Sequence, residues 1–336
     1  MRNAWGATPC WRQALFPARQ AGTPIAAAVA VNVEHASDGA EVRACVREFL
    51  RRSRYMARGA VITDLDGTAV HAVEGRAVIP PQVALGLKSV HDSGRRVVID
   101  TMRFPRSVLR DFGVEWHRIT GAAIPLVCLK GSQLGQLRPD DAGALQFEET
   151  AAFPLEASEL HELMQGIEGM VRQGASELLV FIYPRDWRAG EWIWTPDASR
   201  VAAVEEKYTS ADRVFSGPPS LLRERLLAQP VCLVFLLYDV PDDRRMAYQH
   251  TERSRFVTHR GVDKRHGAIA LARELGIELA HSVGAGDAEP DNFLDAVGLA
   301  VIVGPAALDF KGRQGTVRLP DPVAFGQLLL ELGSWR

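Results

Sequence analysis

The sequence predicts an α/β protein built on a doubly wound parallel sheet, with a second α+β unit inserted into it. Three observations carry that prediction. Short β-branched runs recur between Gly, Pro and Asp. Stretches between them repeat apolar residues at i, i+3 and i+4. The alternation then breaks off between about Gly131 and Ser254.

The strand runs are Ala60–Asp64 (AVITD), Arg96–Thr101 (RVVIDT), Ile124–Leu129 (IPLVCL), Ala280–Val283 (AHSV) and Leu299–Val303 (LAVIV). Continuous apolar runs of this length suit strands buried on both faces. Pro81–Ser93 and Lys264–Leu275 read as amphipathic helices, stopped by Gly94 and Gly276. Such alternation makes a Rossmann-like sheet with its ligand site at the carboxyl ends of the strands. The interrupting stretch has its own helix, Leu155–Gln173, strands Glu177–Tyr183 and Glu191–Thr195, a helix around Pro219–Leu227, and the strand Val231–Tyr238. Arg188-Ala189-Gly190 predicts a hairpin turn between the first two of these strands. Upstream, Gly39 to Tyr55 reads as a helix capped by Ser37 or Asp38, with Val42, Cys45, Val46, Phe49 and Leu50 at helical spacing. The chain is thus divided into an extension (1–57), a first core part (58–131) beginning near Met56, an inserted domain (132–255) and a second core part (256–336).

Composition narrows the function. Of 336 residues, 47% are hydrophobic and 24% charged; 39 Lys+Arg against 41 Asp+Glu exclude a nucleic-acid binder that works by overall positive charge. Cys10, Cys45, Cys128 and Cys232 lie far apart with no CxxC, as expected of reduced thiols. His250, His259, His266 and His281 form no HxH or HxxxH pair, so a histidine-bound metal is not expected. Gly284-Ala285-Gly286 is too short for a dinucleotide fingerprint, and no GxxxxGK[ST] loop is present. The apolar runs Pro24–Val33 and Pro230–Leu237 fall short of the ~20 residues of a membrane span. The first 33 residues hold Arg2, Arg12 and Arg19 and no acid but lack a clean cleavage pattern, so a cytoplasmic protein without membrane or nucleic-acid partners is expected. Oligomeric state stays open. Only five residues are lysines, which makes each one's position informative.

The segment Val61-Ile62-Thr63-Asp64-Leu65-Asp66-Gly67-Thr68 sets two carboxylates two residues apart where a strand runs out into a loop. One such carboxylate can attack phosphorus, a second can shuttle the leaving-group proton, and Gly67 lets the backbone pass close to a phosphate. With Thr101 ending RVVID, Lys264 opening a helix, and Gly286-Asp287-Ala288-Glu289-Pro290-Asp291, the chain resembles the haloacid dehalogenase superfamily of aspartate-nucleophile phosphatases. The resemblance is to its Cof-like class II branch, in which a large cap is inserted between the second and third motifs, and it covers about residues 58–134 and 256–305. It implies Asp64 as nucleophile, Asp66 as general acid/base, and Thr101 and Lys264 as phosphate-binding catalytic groups. It also implies Mg²⁺ held by Asp64, Asp287 and the Asp66 backbone carbonyl, with Asp291 a ligand or an orienter. Taken singly, each group has a plainer reading. DLDGT can be a turn, Lys264 a solvated first-turn residue, Thr101 an ordinary strand end, and Asp287 and Asp291 caps of the next helix.

Three departures from the branch mark the pocket. Met102 stands where T-G-R has glycine, Pro290 precedes the last acid in place of Asn and is followed at one remove by Asn292, and Lys130-Gly131-Ser132 replaces N-G-A. Candidate substrate contacts are Gly67, Arg103, Lys130, Gly131, Ser132, Arg188, His259, Arg260 and Asn292. Trp187, Arg188, Glu191, Trp192 and Trp194 surround the predicted turn; aromatics stacked beside Arg suit a sugar or nucleoside phosphate, whereas alternation of Trp192 and Trp194 with Ile193 equally suits packing of one sheet face. The expectation is a Mg²⁺-dependent phosphatase of a small phosphorylated metabolite. A phosphosugar mutase using the same aspartyl-phosphate and a catalytically silent binding protein are the alternatives.

Overall fold

The computed structural model describes residues 39–73, 76–175, 177–238 and 254–335. Cys10, His250, the Pro24–Val33 run, the arginines of the first 33 residues and the Ser37/Asp38 cap lie outside them.

Helix α1 (Gly39–Arg52) buries Val42, Val46, Phe49 and Leu50. In the core, strand β1 (Ala60–Thr63) is followed by the hairpin β2 (His71–Val73) and β3 (Arg76–Val78), helix α2 (Pro81–Asp92) and β4 (Arg96–Asp100). A helical segment ending in α3 (Val114–Thr120) leads to β5 (Ile124–Cys128), β6 (Gln133–Pro139) and β7 (Leu145–Ala152). Next come α4 (Ala157–Arg172), β8 (Leu179–Pro184), β9 (Trp192–Thr195), α5 (Val201–Lys207), β10 (Arg213–Ser216), α6 (Pro219–Leu227), β11 (Val231–Leu237) and β12 (Ser254–Val257). The chain closes with α7 (Lys264–Leu275), β13 (Val283–Gly286), β14 (Leu299–Val303), β15 (Gly315–Leu319) and α8 (Pro322–Ser334).

Eight strands form the core sheet in the order β15-β14-β13-β1-β4-β5-β6-β7. The six from β15 to β5 are parallel, and β6 and β7 extend the sheet by antiparallel pairing. The chain runs outward from β1 through β4 and β5, then returns to run the other way through β13, β14 and β15. The switch point, where α/β sheets bind ligands, therefore falls between β1 and β13. The second sheet, β10-β9-β8-β11-β12, covers one face with α4 and α6. Residues alternate along its strands as a two-residue period requires. Val180, Ile182, Trp194, Val234 and Leu236 meet the helices, while Leu179, Phe181, Tyr183, Ile193, Leu233 and Phe235 join the cluster shared with the core.

Four sequence expectations change. The boundary at 132 is too early, because β6 pairs with β5 and β7 with β6 as part of the core sheet, and β12 carries the second sheet to Val257. β6 buries Gln133, Leu134, Gly135 and Leu137 and β7 only Phe147, and the polar residues between them leave no continuous apolar run to mark either strand. The strand read at Ala280–Val283 is β13, Val283–Gly286, preceded by a 3₁₀ turn at Leu279–His281. Its Gly-Ala-Gly is a poor strand sequence, but an added Cβ at Gly284 would lie 2.9 Å from Val297, so the sheet centre takes small residues there. The segment 39–57 is no mere extension: α1 packs on β15, and Tyr55 is buried edge-to-face against Phe49 at 6.1 Å. The turn at Arg188–Gly190 is part of a longer connection containing a 3₁₀ turn, Trp187–Ala189. Among the described residues no helix is long and apolar enough to cross a membrane.

Candidate active site

Asp64 follows β1, Thr101 follows β4 and Asp287 follows β13, so three adjacent parallel strands deliver them to one sheet end. The Asp64 N–H donates to the Ala285 carbonyl at 2.9 Å, extending the β1–β13 ladder to the acid itself. Beyond it the loop tightens onto Leu65, whose carbonyl accepts from Thr68, Ala69 and Val70. Gly67 has φ +76°, and an added Cβ would stand 2.2 Å from Asp287 Oδ2. Glycine is thus required by both the turn and the approach of the acid.

Lys264 is the first residue of α7 and only 2% exposed. A cation at a helix N-terminus opposes the macrodipole, and a buried ammonium needs counter-charge. Asp64 Oδ1 at 2.7 Å and Asp291 Oδ1 at 2.5 Å supply it. Burial alone would depress the lysine, but Asp291, Asp64 and Asp100 outweigh it and hold the ammonium above its ordinary range. Burial pushes the Asp64 carboxyl well up, Lys264 pulls against it, and Asp291, Asp287 and Asp66 add to the rise. Burial, with Asp291 adding, likewise pushes Asp287 up to about 6. More carboxylates are gathered here than one lysine can neutralise.

Oxygens of Asp64, Asp287 and Asp291 lie within 4.8 Å of one another, a hard-oxygen set of the kind magnesium selects. Asp291 is the most committed of the three: Oδ1 accepts from Lys264, and Oδ2 from the backbone N–H groups of Asp287 and Ala288, each at 2.9 Å. That favours orienting the loop over direct ligation. Thr68 Oγ1 donates to Asp287 Oδ1 at 3.3 Å. The Asp66 side chain lies outside the three-acid cluster and is held by Arg103, whose Nε and Nη2 reach its two oxygens at 2.7 and 2.6 Å.

The expected substrate contacts divide. Thr101 is buried beside the loop, its Oγ1 accepting the Arg103 N–H at 3.2 Å. Leu129 and Lys130 both adopt left-handed backbone, φ 51° and 58°, and Gly131 follows at φ +94° with its Cα against the Asp263 carbonyl, which an added Cβ would meet at 2.0 Å. Strain of this kind persists where surrounding structure over-determines it. The Lys130 ammonium stands 6.0 Å over the Phe256 ring, and Ser132 is buried nearby with no hydrogen-bond partner for its hydroxyl among the described residues. Five other candidates are committed elsewhere. Arg103 is taken by Asp66 and by Asp111, with Nη1 at 2.7 Å from the latter. His259 Nδ1 and the Arg260 N–H both engage Glu159 of α4, at 3.0 and 2.8 Å. Asn292 uses both ends of its amide, accepting from Arg265 N–H and donating to Asp263, which pins the Asp291 loop to α7. Arg188 stacks on Trp187 and donates to Gln146 of β7. Trp194 is buried under α4 and α6, and Trp192 packs at the edge of the same cluster, so those two tryptophans fill the inserted domain.

Two acids escaped the sequence reading. Asp100, the last residue of β4, is fully buried and neither carboxyl oxygen has a partner among the described residues. Burial pushes it well up, against the pull of Lys264. An acid closing the apolar run RVVID was the available signal. Asp111 had none, since only folding brings it to Arg103.

No protein-family model matches the chain, and no curated protein matches its sequence. Solved structures do match in fold. A phosphatase of the HAD enzyme superfamily from Bacteroides thetaiotaomicron superposes with TM-score 0.58 at 16% identity, over 83% of this chain and 97% of that one. A sugar phosphatase of HAD subclass IIB gives 0.56 at 14%, over 82% and 99%. A protein described as a HAD/COF-like hydrolase, from Plasmodium vivax, gives 0.59 at 17%, over 85% and 98%. The chain therefore shares the fold of these solved structures of the HAD superfamily, with a second sheet inserted into the core.

Proposed function

We propose that the protein is a Mg²⁺-dependent phosphomonoester hydrolase acting on a small phosphorylated metabolite. The observation that carries this reading is the buried bonding of Lys264 to Asp64 and Asp291, beside Asp287, at the switch point of the core sheet. Asp64, Asp287 and the backbone carbonyl of Asp66 would hold magnesium, which when bound neutralises charge on the transferring oxygens. Asp64 attacks phosphorus in line, its bond to phosphorus forming as the bond to the leaving oxygen breaks. Asp66 gives its proton to that oxygen, then takes one from the water that opens the aspartyl-phosphate. Thr101 and Lys264 bind the phosphoryl oxygens, and Lys264 favours the ionised form of Asp64 that attack requires.

The sugar phosphatase among the similar folds puts phosphosugars first among substrates to try. The test is phosphate release by the purified full chain from phenyl phosphate, sugar phosphates and nucleoside monophosphates, with Mg²⁺ and after chelation. Release that needs Mg²⁺ is expected. Release from none, or undiminished release after chelation, would contradict the reading, and an isomerised sugar phosphate without free phosphate would make the protein a mutase.

A further inference from the structure

The helical segment after β4 contains a π-helical turn, Leu109–Gly113, between Pro105–Val108 and α3. Such turns are rare, re-aim the side chains around them, and are frequent at functional sites. Here the turn carries Asp111. Its Oδ2 accepts from Arg103 Nη1 at 2.7 Å, while Arg103 Nε and Nη2 fork onto the two oxygens of Asp66. All three side chains are largely shielded, at 16%, 20% and 23% exposure, where charge-assisted bonds keep most of their strength. A guanidinium is planar, so bonds to carboxylates on two of its edges fix that plane. Held by Asp66 alone, fork and carboxylate could swing together.

We propose that Asp111 is a positioning residue for leaving-group protonation, acting through Arg103 on the carboxyl of Asp66. This rests on the phosphatase reading above. An Asp carboxylate has about four lone-pair sites; the fork uses one on each oxygen and leaves the others for the proton. As the phosphorus–oxygen bond breaks, its electron pair stays on the leaving oxygen and the Asp66 proton joins it. Alkoxides and phenoxide need that proton, whereas 2,4-dinitrophenolate departs without it. A misaligned Asp66 therefore penalises poor leaving groups selectively, which a general loss of folding or of phosphate binding would not do.

The experiment measures kcat/KM of the full chain with Mg²⁺ on phenyl phosphate and on 2,4-dinitrophenyl phosphate. Asp111→Asn should lose about 10- to 100-fold on the first and about 3-fold or less on the second, within the range general acid catalysis supplies. Arg103→Ala should show the same selectivity, and the double variant should lose no more than Arg103→Ala alone. Equal losses on both substrates, no loss on either, or multiplied losses in the double variant would overturn the proposal. Failure of the wild type on both substrates would instead remove the phosphatase reading, and this inference with it.

Discussion

The two sheets of this molecule handle buried polarity in opposite ways. The core sheet gathers Asp64, Asp100, Thr101 and Asp291 at the carboxyl ends of its strands and sets Lys264 among them, all nearly inaccessible. The inserted sheet turns Leu179, Phe181, Tyr183, Ile193, Leu233 and Phe235 toward the core, with the buried carboxyl group of Glu191 beside them. Burying charge is costly unless the charges hold one another. The core tolerates it only because the acids share a lysine, and even so they remain in excess. Its polar end therefore carries an excess of acid that a further cation would offset, at the expense of stability, whereas the inserted sheet is an ordinary hydrophobic layer.

That contrast predicts that core substitutions separate activity from stability. The largest effect is expected at Asp64. Asp64→Asn should lower phosphate release by about 10³-fold or more, while melting no lower than wild type, because an acid has left a crowded acid cluster. A melting temperature well below wild type would break the comparison. Next is Lys264→Met, which leaves Asp64, Asp291 and Asp100 without their cation. Urea titration should show a loss of roughly 3–5 kcal/mol, together with loss of turnover. Gly67→Ala puts a Cβ against Asp287; about a tenfold rise in the Mg²⁺ concentration for half-maximal activity is expected, and an unchanged Mg²⁺ dependence would argue that Asp287 does not hold the ion.

The smallest effect belongs to the inserted domain. Burial pushes Glu191 up to about 7, with Asp212 adding and Arg110 opposing. Its folded form binds a proton that the unfolded chain has released between about pH 4.5 and 7. The stability it contributes is complete below that window and is lost as pH rises through 7. Glu191→Gln should melt about 5 °C higher than wild type at pH 8 and nearly level with it at pH 5. A difference that does not change with pH would show that the carboxyl stays ionised in the fold.

What was legible in the chain was what is local. Asp64 and Asp66 stand where β1 runs out and Lys264 where α7 begins, elements that their own neighbours announce, and α7 begins and ends where its pattern does, whereas the strand before Asp287 was read three residues early. The commitments of His259, Arg260 and Asn292 were not legible, because Glu159 and Asp263 reach them only through tertiary packing. The same holds for Arg103: its place two residues after Thr101 made it look free for substrate, and Asp111 in a π-turn eight residues on claims it. β6 and β7 were misassigned because polar residues interrupt their apolar ones and leave no continuous run.

In the proposed mechanism Asp64 is the group that takes the phosphoryl. Rapid acid quench of the full chain during turnover of phenyl phosphate with Mg²⁺, followed by peptide mass mapping, reads that directly. A phosphoryl group on the Asp64 peptide, absent from Asp64→Asn, is predicted; turnover with no modified peptide, or with the phosphoryl group on another residue, would contradict it.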